Sequence, residues 1–503
     1  MTTDALIAQL LGELPFDPDE VRARYRAERD KRLRPEGSEQ YVGMSAEFSE
    51  FDEDPYVEPG FTRDALFDDV EVAIIGGGFG GLLAGARLRK IGVQSIRLIE
   101  RAGDVGGTWY WNRYPGAMCD VESYVYLPLL EEMGYMPKHK YSYAPEIFEY
   151  SKSIARHFNL YENALFQTGV TELRWDVDAA RWLISTDRGD RMTARFVAMA
   201  NGPLSRPKLP GIPGIGEYQG HMFHTSRWDY GYTGGDSTGN LTGLADKRVG
   251  IIGTGATGIQ CIPHLSRSTR ELFVFQRTPS SVDVRNNSET DPWWAASLEP
   301  GWHQRRMDNF NTLVSGGLSD EDLVHDSWTD MFRALAGVAS TDEASVLGGA
   351  ITPEERADLS ELFDMRKMDQ VRRRVERLVQ DPFTSDRLKP WFRQLCKRPC
   401  FHDEYLDTYN RPNVTLVDTD GLGVHRFTEQ GIVVGDTEYE LDCVIFATGF
   451  EVGTNYTKRA GYDIIGRDES PFPRSGKTVS ARFMACKPTA SRTASSLASP
   501  KPH

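Results

Sequence analysis

At 503 residues the chain is long enough for roughly two or three domains with well-buried cores. Its hydrophobic content of 40% and charged content of 26% are ordinary for a globular protein, and the net charge of −15 argues against binding nucleic acid or an anionic membrane. No apolar run approaches a bilayer-spanning length and the acidic N-terminus does not fit a signal peptide, so a cytoplasmic protein is expected.

Residues 1–69 read as an N-terminal helical extension. Residues 5–14 and 21–33 have amphipathic helical spacing, separated by the breaker Pro15-Phe16-Asp17-Pro18. Residues 52–59 are acidic and proline-containing, as in a loop that wraps over the main body.

Core structure begins with a β-branched strand over 70–75, followed at once by Gly76-Gly77-Gly78-Phe79-Gly80-Gly81. A helical pattern over 82–89 and a second strand over 95–99 lead to Glu100. Gly76 permits the tight turn, Gly78 lets backbone approach a pyrophosphate, and Gly81 allows close helix–strand packing. A carboxylate at the end of the next strand can accept from both ribose hydroxyls. Glu100 therefore suits an adenosine without a 2′-phosphate, as in FAD or NAD. The aromatic-rich segment from Gly106 and Gly107 through Thr108, Trp109 and Tyr110 to Gly116 suits a loop packed on a flat ring. Ala200-Asn201-Gly202 marks the exit from this unit.

Between two glycine fingerprints lies Tyr218-Gln219-Gly220-His221-Met222-Phe223-His224-Thr225-Ser226-Arg227-Trp228-Asp229. His221 and His224 could face one another across a helical turn, but no third ligand accompanies them and no metal is expected. The second fingerprint follows a strand over 248–252 and reads Gly253-Thr254-Gly255-Ala256-Thr257-Gly258. Its helix runs through Leu265, and its second strand covers 271–275. No acid follows that strand; Gln276, Arg277 and Thr278 do. A guanidinium and a hydroxyl there match a 2′-phosphate, so NADPH is preferred over NADH. With a flavin site first and a nicotinamide site second, hydride is expected to pass from NADPH to FAD.

Residues 286–389 have helical spacing and form a helical insertion, after which 414–418, 431–434 and 443–447 return to strand character. Ala447-Thr448-Gly449 reads as the return strand that closes the flavin unit. The six cysteines are scattered and make no disulfide framework; Cys396 and Cys400 are four apart, but the flanking Lys397 and Arg398 would repel a metal cation. The expected fold is α/β, with two Rossmann-like dinucleotide-binding domains. A first FAD part covers 70–205, an NADP unit 206–399, a return to the FAD unit 400–469, and an atypical tail 470–503.

These motifs resemble those of the Baeyer–Villiger monooxygenases, flavin enzymes that turn ketones into esters or lactones. The linker fits that family's F-x-G-x-x-x-H-x-x-x-W-(P/D) pattern, with Tyr218 a mild departure. Trp228-Asp229 disfavours the related N- or S-oxidising flavin monooxygenases, which carry Tyr at the position of Trp228. The resemblance spans roughly residues 70–467. It implies FAD and NADPH as cofactors, O2 and a small ketone as substrates, and no obligate protein partner.

It also implies site residues. Gly76, Gly78, Phe79, Gly81, Glu100, Gly107, Thr108, Trp109, Asp120, Tyr126 and Val170 match positions at FAD. Gly253, Thr254, Gly255, Ala256, Thr257 and Gly258 match the NADP turn, and Arg277, Thr278 and Lys397 would share the 2′-phosphate. Arg398 resembles the active-site arginine that stabilises a negative C4a-peroxyflavin, and Asp120 the carboxylate that positions it. His224 and Trp228 would act in domain closure rather than touch substrate. In the implied mechanism NADPH reduces the flavin, oxygen adds at C4a, and the peroxide attacks the ketone before rearrangement inserts oxygen beside the carbonyl.

The tail departs from the pattern. Acidic residues stop at Glu469, and residues 470–503 are rich in Ser, Ala, Lys, Arg and Pro, as in a disordered tail. A frameshift is the sharper reading: in an adjacent frame, residues from Pro473 onward can encode Trp, His-Gly and Gly-Phe-Pro-Asn, as the family segment does. A non-catalytic nucleotide-binding remnant is accordingly the alternative from a different functional class.

Overall fold

A computed structural model describes residues 14–42, 48, 51–204, 206–317, 319–340, 353–452, 456–467 and 494–496. The helix expected over 5–14 and both readings of the tail therefore fall outside the described residues, apart from Leu14 and three residues of the tail. In the extension, helix α1 (Pro18–Arg32) begins where the breaker was expected. Proline suits a first helical turn because it lacks only an N–H that would be unpaired there. Asp17 caps the helix by accepting the Asp19 N–H at 2.8 Å.

Two parallel-type sheets carry the nucleotide folds. The first comprises β1 (Asp69–Ile75), β2 (Ile96–Ile99), β3 (Ala164–Leu165), β4 (Val170–Asp176), β5 (Arg181–Thr186) and β6 (Arg191–Met199). Helix α2 (Phe79–Lys90) follows β1 directly. The β1–β2 and β1–β6 pairs are parallel, while β5 is antiparallel to both β4 and β6. Ala73 and Ile74 of β1 are fully buried, as a central strand covered on both faces requires.

The second sheet has five parallel strands. In chain order these are β7 (His221–His224), β8 (Arg248–Ile252), β9 (Glu271–Gln276), β10 (Val414–Asp418) and β11 (Cys443–Phe446). Their spatial order is β10-β9-β8-β11-β7. Helix α3 (Ala256–Ser268) follows β8, so strand, glycine turn and helix recur as expected.

The strand before Ala447 departs from the expected arrangement. β11 lies between β8 and β7 of the second sheet, so Ala447-Thr448-Gly449 does not follow a return strand of the flavin unit. Such a short, wholly buried run fits either sheet, and only topology assigns it. The chain rejoins the first sheet later, at β12 (Asp463–Ile465), which pairs with β4. In the tail, β13 (Ala494–Ser496) pairs in parallel with Val197–Met199 of β6.

The helical insertion leaves the second sheet after β9 and returns at β10. It contains α4 (Trp302–Val314), α5 (Ser327–Ser340) and α6 (Pro353–Leu378). Val21 and Tyr25 of α1 pack with Leu362 and Met365 of α6 in one apolar cluster, so the extension is fastened to the insertion. Glu122 and Arg306 join the segment after the first glycine turn to α4: Nη2 of Arg306 donates to Glu122 at 3.0 Å, and the carboxylate is fully buried. Among the described residues no helix is long and apolar enough to cross a membrane.

Candidate active site

The first fingerprint builds a cradle at the C-terminal end of β1. Gly76 has φ of +109°, and a Cβ there would lie 2.6 Å from the Ala200 carbonyl oxygen. A Cβ on Gly81 would collide with the Gly76 carbonyl oxygen, so the helix sits against the turn only because both are glycine. Gly78 caps α2 without offering a side chain, which leaves first-turn N–H groups for an anion. Gly78, Phe79 and Gly107 line a cavity of about 490 Å³ that also reaches Glu100, Thr108, Trp109, Tyr126 and Val170.

Glu100 is buried and accepts the Gly77 N–H at 2.5 Å and the Ala102 N–H at 2.8 Å. Burial raises its pKa despite those bonds. Each carboxylate oxygen keeps acceptor capacity, which fits a ribose diol. Trp109 donates its indole N–H to the Tyr126 hydroxyl at 2.9 Å, fixing two aromatic groups at the inner end of the cavity.

The second fingerprint opens into a larger cavity of about 1210 Å³. Gly253 has φ of +112°, and a Cβ on Gly258 would collide with its carbonyl oxygen, repeating the first turn's logic. Gly255 caps α3 without a side chain and has open space beside it. Thr254, Ala256 and Thr257 line the same cavity. At its far end the Lys397 ammonium donates to the Thr278 hydroxyl at 2.6 Å and the Pro279 carbonyl at 2.6 Å. Burial, with the cations Arg32 and Arg277 nearby, pushes the Lys397 pKa down to about 7. Arg277, Thr278 and Lys397 are thus together, and the electrostatics favour an anion among them. The donor sets fit FAD at the first cradle and a 2′-phosphorylated nicotinamide dinucleotide at the second.

The two cavities share Thr108, Trp109 and Tyr126. Beside that junction Arg398 donates to Asp120 Oδ2 from Nη2 at 2.6 Å and from Nε at 3.1 Å. Burial works against the charge on Arg398, but Asp120 outweighs it and the guanidinium pKa is raised. Asp120 does not cap a helix, since the short helix Ser123–Tyr126 takes Glu122 as its N-cap residue. Its carboxylate is available for the arginine, whose side chain is 59% exposed and lines the larger cavity.

Three further residues adjoin this site. Trp328 of α5 donates its indole N–H to the Asp120 carbonyl at 2.7 Å, and the Arg398 guanidinium lies 5.8 Å from its ring centroid. Gln40 accepts from Arg277 at 2.8 Å, and Arg34 lines the same cavity. No local pattern marks them, because each arrives from a distant segment.

The linker string is structural in its contacts. Trp228 is buried and donates to the Thr233 hydroxyl at 3.1 Å, while the Tyr218 hydroxyl donates to the Leu441 carbonyl at 3.0 Å. His224 is buried; burial, with the Arg227 charge nearby, lowers its pKa to about 3, so it stays neutral. Neither His224 nor Trp228 lines either cavity. His221 and His224 lie on a strand rather than a helical turn, and His221 approaches Asp229 at 3.0 Å. Arg227 places its guanidinium 3.8 Å from the Trp111 ring centroid of the flavin unit.

Residues 69–299 match the family model described as flavin-binding monooxygenase-like. Neopentalenolactone D synthase of Streptomyces avermitilis is 57% identical over 455 residues, covering 90% of this chain and 76% of that protein. A Baeyer–Villiger monooxygenase of Streptomyces coelicolor is 51% identical over 451 residues, covering 89% and 74%. Among solved structures, the polycyclic ketone monooxygenase of Thermothelomyces thermophila superposes with a TM-score of 0.81 at 40% identity, covering 90% and 76%.

Proposed function

The chain belongs to the Baeyer–Villiger monooxygenases, FAD-dependent enzymes that use NADPH and O2 to insert oxygen beside a ketone carbonyl, and from that membership we propose how its own residues divide the work. Bound FAD supplies electron transfer from NADPH and the activation of oxygen. Gly76, Gly78 and the first turn of α2 hold the flavin nucleotide's pyrophosphate, and Glu100 its ribose. The turn from Gly253 to Gly258 holds the pyrophosphate of NADPH, and Arg277, Thr278 and Lys397 hold its 2′-phosphate.

Arg398 is the catalytic cation. It stabilises negative charge that develops on the reacting oxygen atoms. Asp120 is its positioning residue, fixing the guanidinium plane and keeping it charged. His224 and Trp228 act through the linker on how the two nucleotide units meet. The 2.6 Å Arg398–Asp120 pair, which lines the larger cavity near the shared Tyr126, carries this reading.

The substrate is a small ketone, and the working location is the cytoplasm. In support of a reducing compartment, the five described cysteines are all unbridged. Purified protein tests the proposal. A yellow protein that oxidises NADPH with a ketone and yields an ester or lactone supports it. A sulfoxide or N-oxide product instead would favour the heteroatom-oxidising alternative, and a colourless protein the nucleotide-binding remnant.

A further inference from the structure

The second cavity is bounded by a segment that lies outside both nucleotide folds. After α1 the chain lines the cavity with Arg34, Gln40 and Tyr41, and Tyr41–Val42 pairs antiparallel with Leu209–Pro210. The Gln40 carbonyl accepts the Gly211 N–H at 2.9 Å, so this stretch is fixed in register. From it the Gln40 side chain accepts from Arg277 at 2.8 Å, and Arg34 donates to the Leu422 carbonyl. A Cβ built on Gly423 would lie 3.2 Å from Arg34 Nη2 and 3.9 Å from Arg277 Cδ, so the two arginines converge on one glycine. Arg32 and Lys397 lie 5.2 and 5.1 Å from the centroid of the same Phe392 ring.

Four cations therefore meet here: Arg32 and Arg34 from the extension, Arg277 and Lys397 from the nucleotide unit. Among the described residues none of the four has a carboxylate within the 4.0 Å of an ion pair. Neighbouring Lys31 shows the contrast, since it is paired with Asp420 at 2.6 Å. Glu28 offsets part of the charge on Arg32 and Lys397 from beyond ion-pair distance, but it is itself engaged by Lys31 at 3.3 Å, and a dianion among the cations would relieve the repulsion that is left.

We propose that the N-terminal extension completes the coenzyme site, with Arg34 as a specificity-determining residue for the 2′-phosphate and Gln40 as the residue that aims Arg277 at it. This rests on the assignment of Arg277, Thr278 and Lys397 to the 2′-phosphate. The extension is then part of how the protein tells NADPH from NADH, although neither glycine fingerprint includes it.

The test is calorimetric titration of the full-length, FAD-loaded protein with NADP+, NAD+ and adenosine 2′,5′-bisphosphate. Arg34→Gln is expected to weaken NADP+ and the bisphosphate about tenfold while leaving NAD+ unchanged, as loss of one charge-assisted contact to phosphate would. Arg34→Lys should recover part of the loss, and Gln40→Ala should give a smaller loss of the same kind. Lys397→Gln reports on the underlying assignment. If it weakens NADP+ selectively while Arg34→Gln and Gln40→Ala change nothing, the extension has no part in the site and the inference is overturned. Equal weakening of NADP+ and NAD+ by Arg34→Gln would show a structural effect and overturn it too. If neither the Arg34 nor the Lys397 variant alters the NADP+ to NAD+ ratio, the 2′-phosphate assignment itself fails.

Discussion

Trp328 holds Asp120 from behind: its indole N–H reaches the Asp120 backbone carbonyl at 2.7 Å while its ring faces the Arg398 guanidinium. The insertion thus braces Asp120, the carboxylate paired with Arg398. Trp328→Phe removes the hydrogen bond and keeps the ring; Trp328→Leu removes both. Oxygenation rates should fall by about threefold to tenfold in the first and further in the second, with the NADPH dissociation constant unchanged. Product yield per NADPH consumed is the measurement, because a loosened Arg398 should waste reducing equivalents.

Arg398→Ala should leave flavin reduction by NADPH nearly intact yet lower ester formation by about 10²-fold to 10³-fold. Stopped-flow reduction and product analysis on the same sample separate the two steps. Normal ester formation by this variant would remove Arg398 from the reaction.

The pKa of Lys397, depressed to about 7, predicts a pH dependence of coenzyme binding. Without ligand, the ammonium loses its proton as pH rises through that value. A bound 2′-phosphate raises the pKa again, so above pH 7 binding must take up a proton. NADP+ affinity should therefore fall from pH 7 to pH 9 while NAD+ affinity stays flat. Calorimetry at pH 8 in two buffers of different ionisation enthalpy would read the proton uptake directly. Lys397→Gln should abolish it.

Glu122 is fully buried, and its partner Arg306 is nearly so. Burial already raises the Glu122 pKa to about 7, so Arg306→Ala leaves a buried carboxyl that protonates and loses its hydrogen-bond donor, and should cost about 1–3 kcal/mol of stability. Replacing both, as Glu122→Gln with Arg306→Met, should cost much less. Thermal melting of the single and double variants decides between these outcomes.

What was legible in the sequence follows from how local each cause is. Strand, turn and helix of both fingerprints were readable because their glycines answer to contacts only a few residues away, such as Gly81 against Gly76. The Asp120–Arg398 pair was available only through family resemblance, since 278 positions separate the two residues. Trp328 was invisible because an aromatic residue in an amphipathic helix looks the same whether it faces core or active site. The sheet of β11 is not legible, because four buried residues carry no mark of which sheet they join.

The position of β7 bears on how such enzymes are recombined. The strand His221–His224 is hydrogen-bonded into the second sheet through β11, while Arg227, three residues later, is stacked on Trp111 of the first unit. A chimera that exchanges the NADPH unit between relatives cannot be cut cleanly inside 218–229. The crossover has to fall before Tyr218, and the donor's partner for Trp111 must come with it. Shuffling libraries that respect this boundary should yield flavin-loaded protein far more often than those that break it.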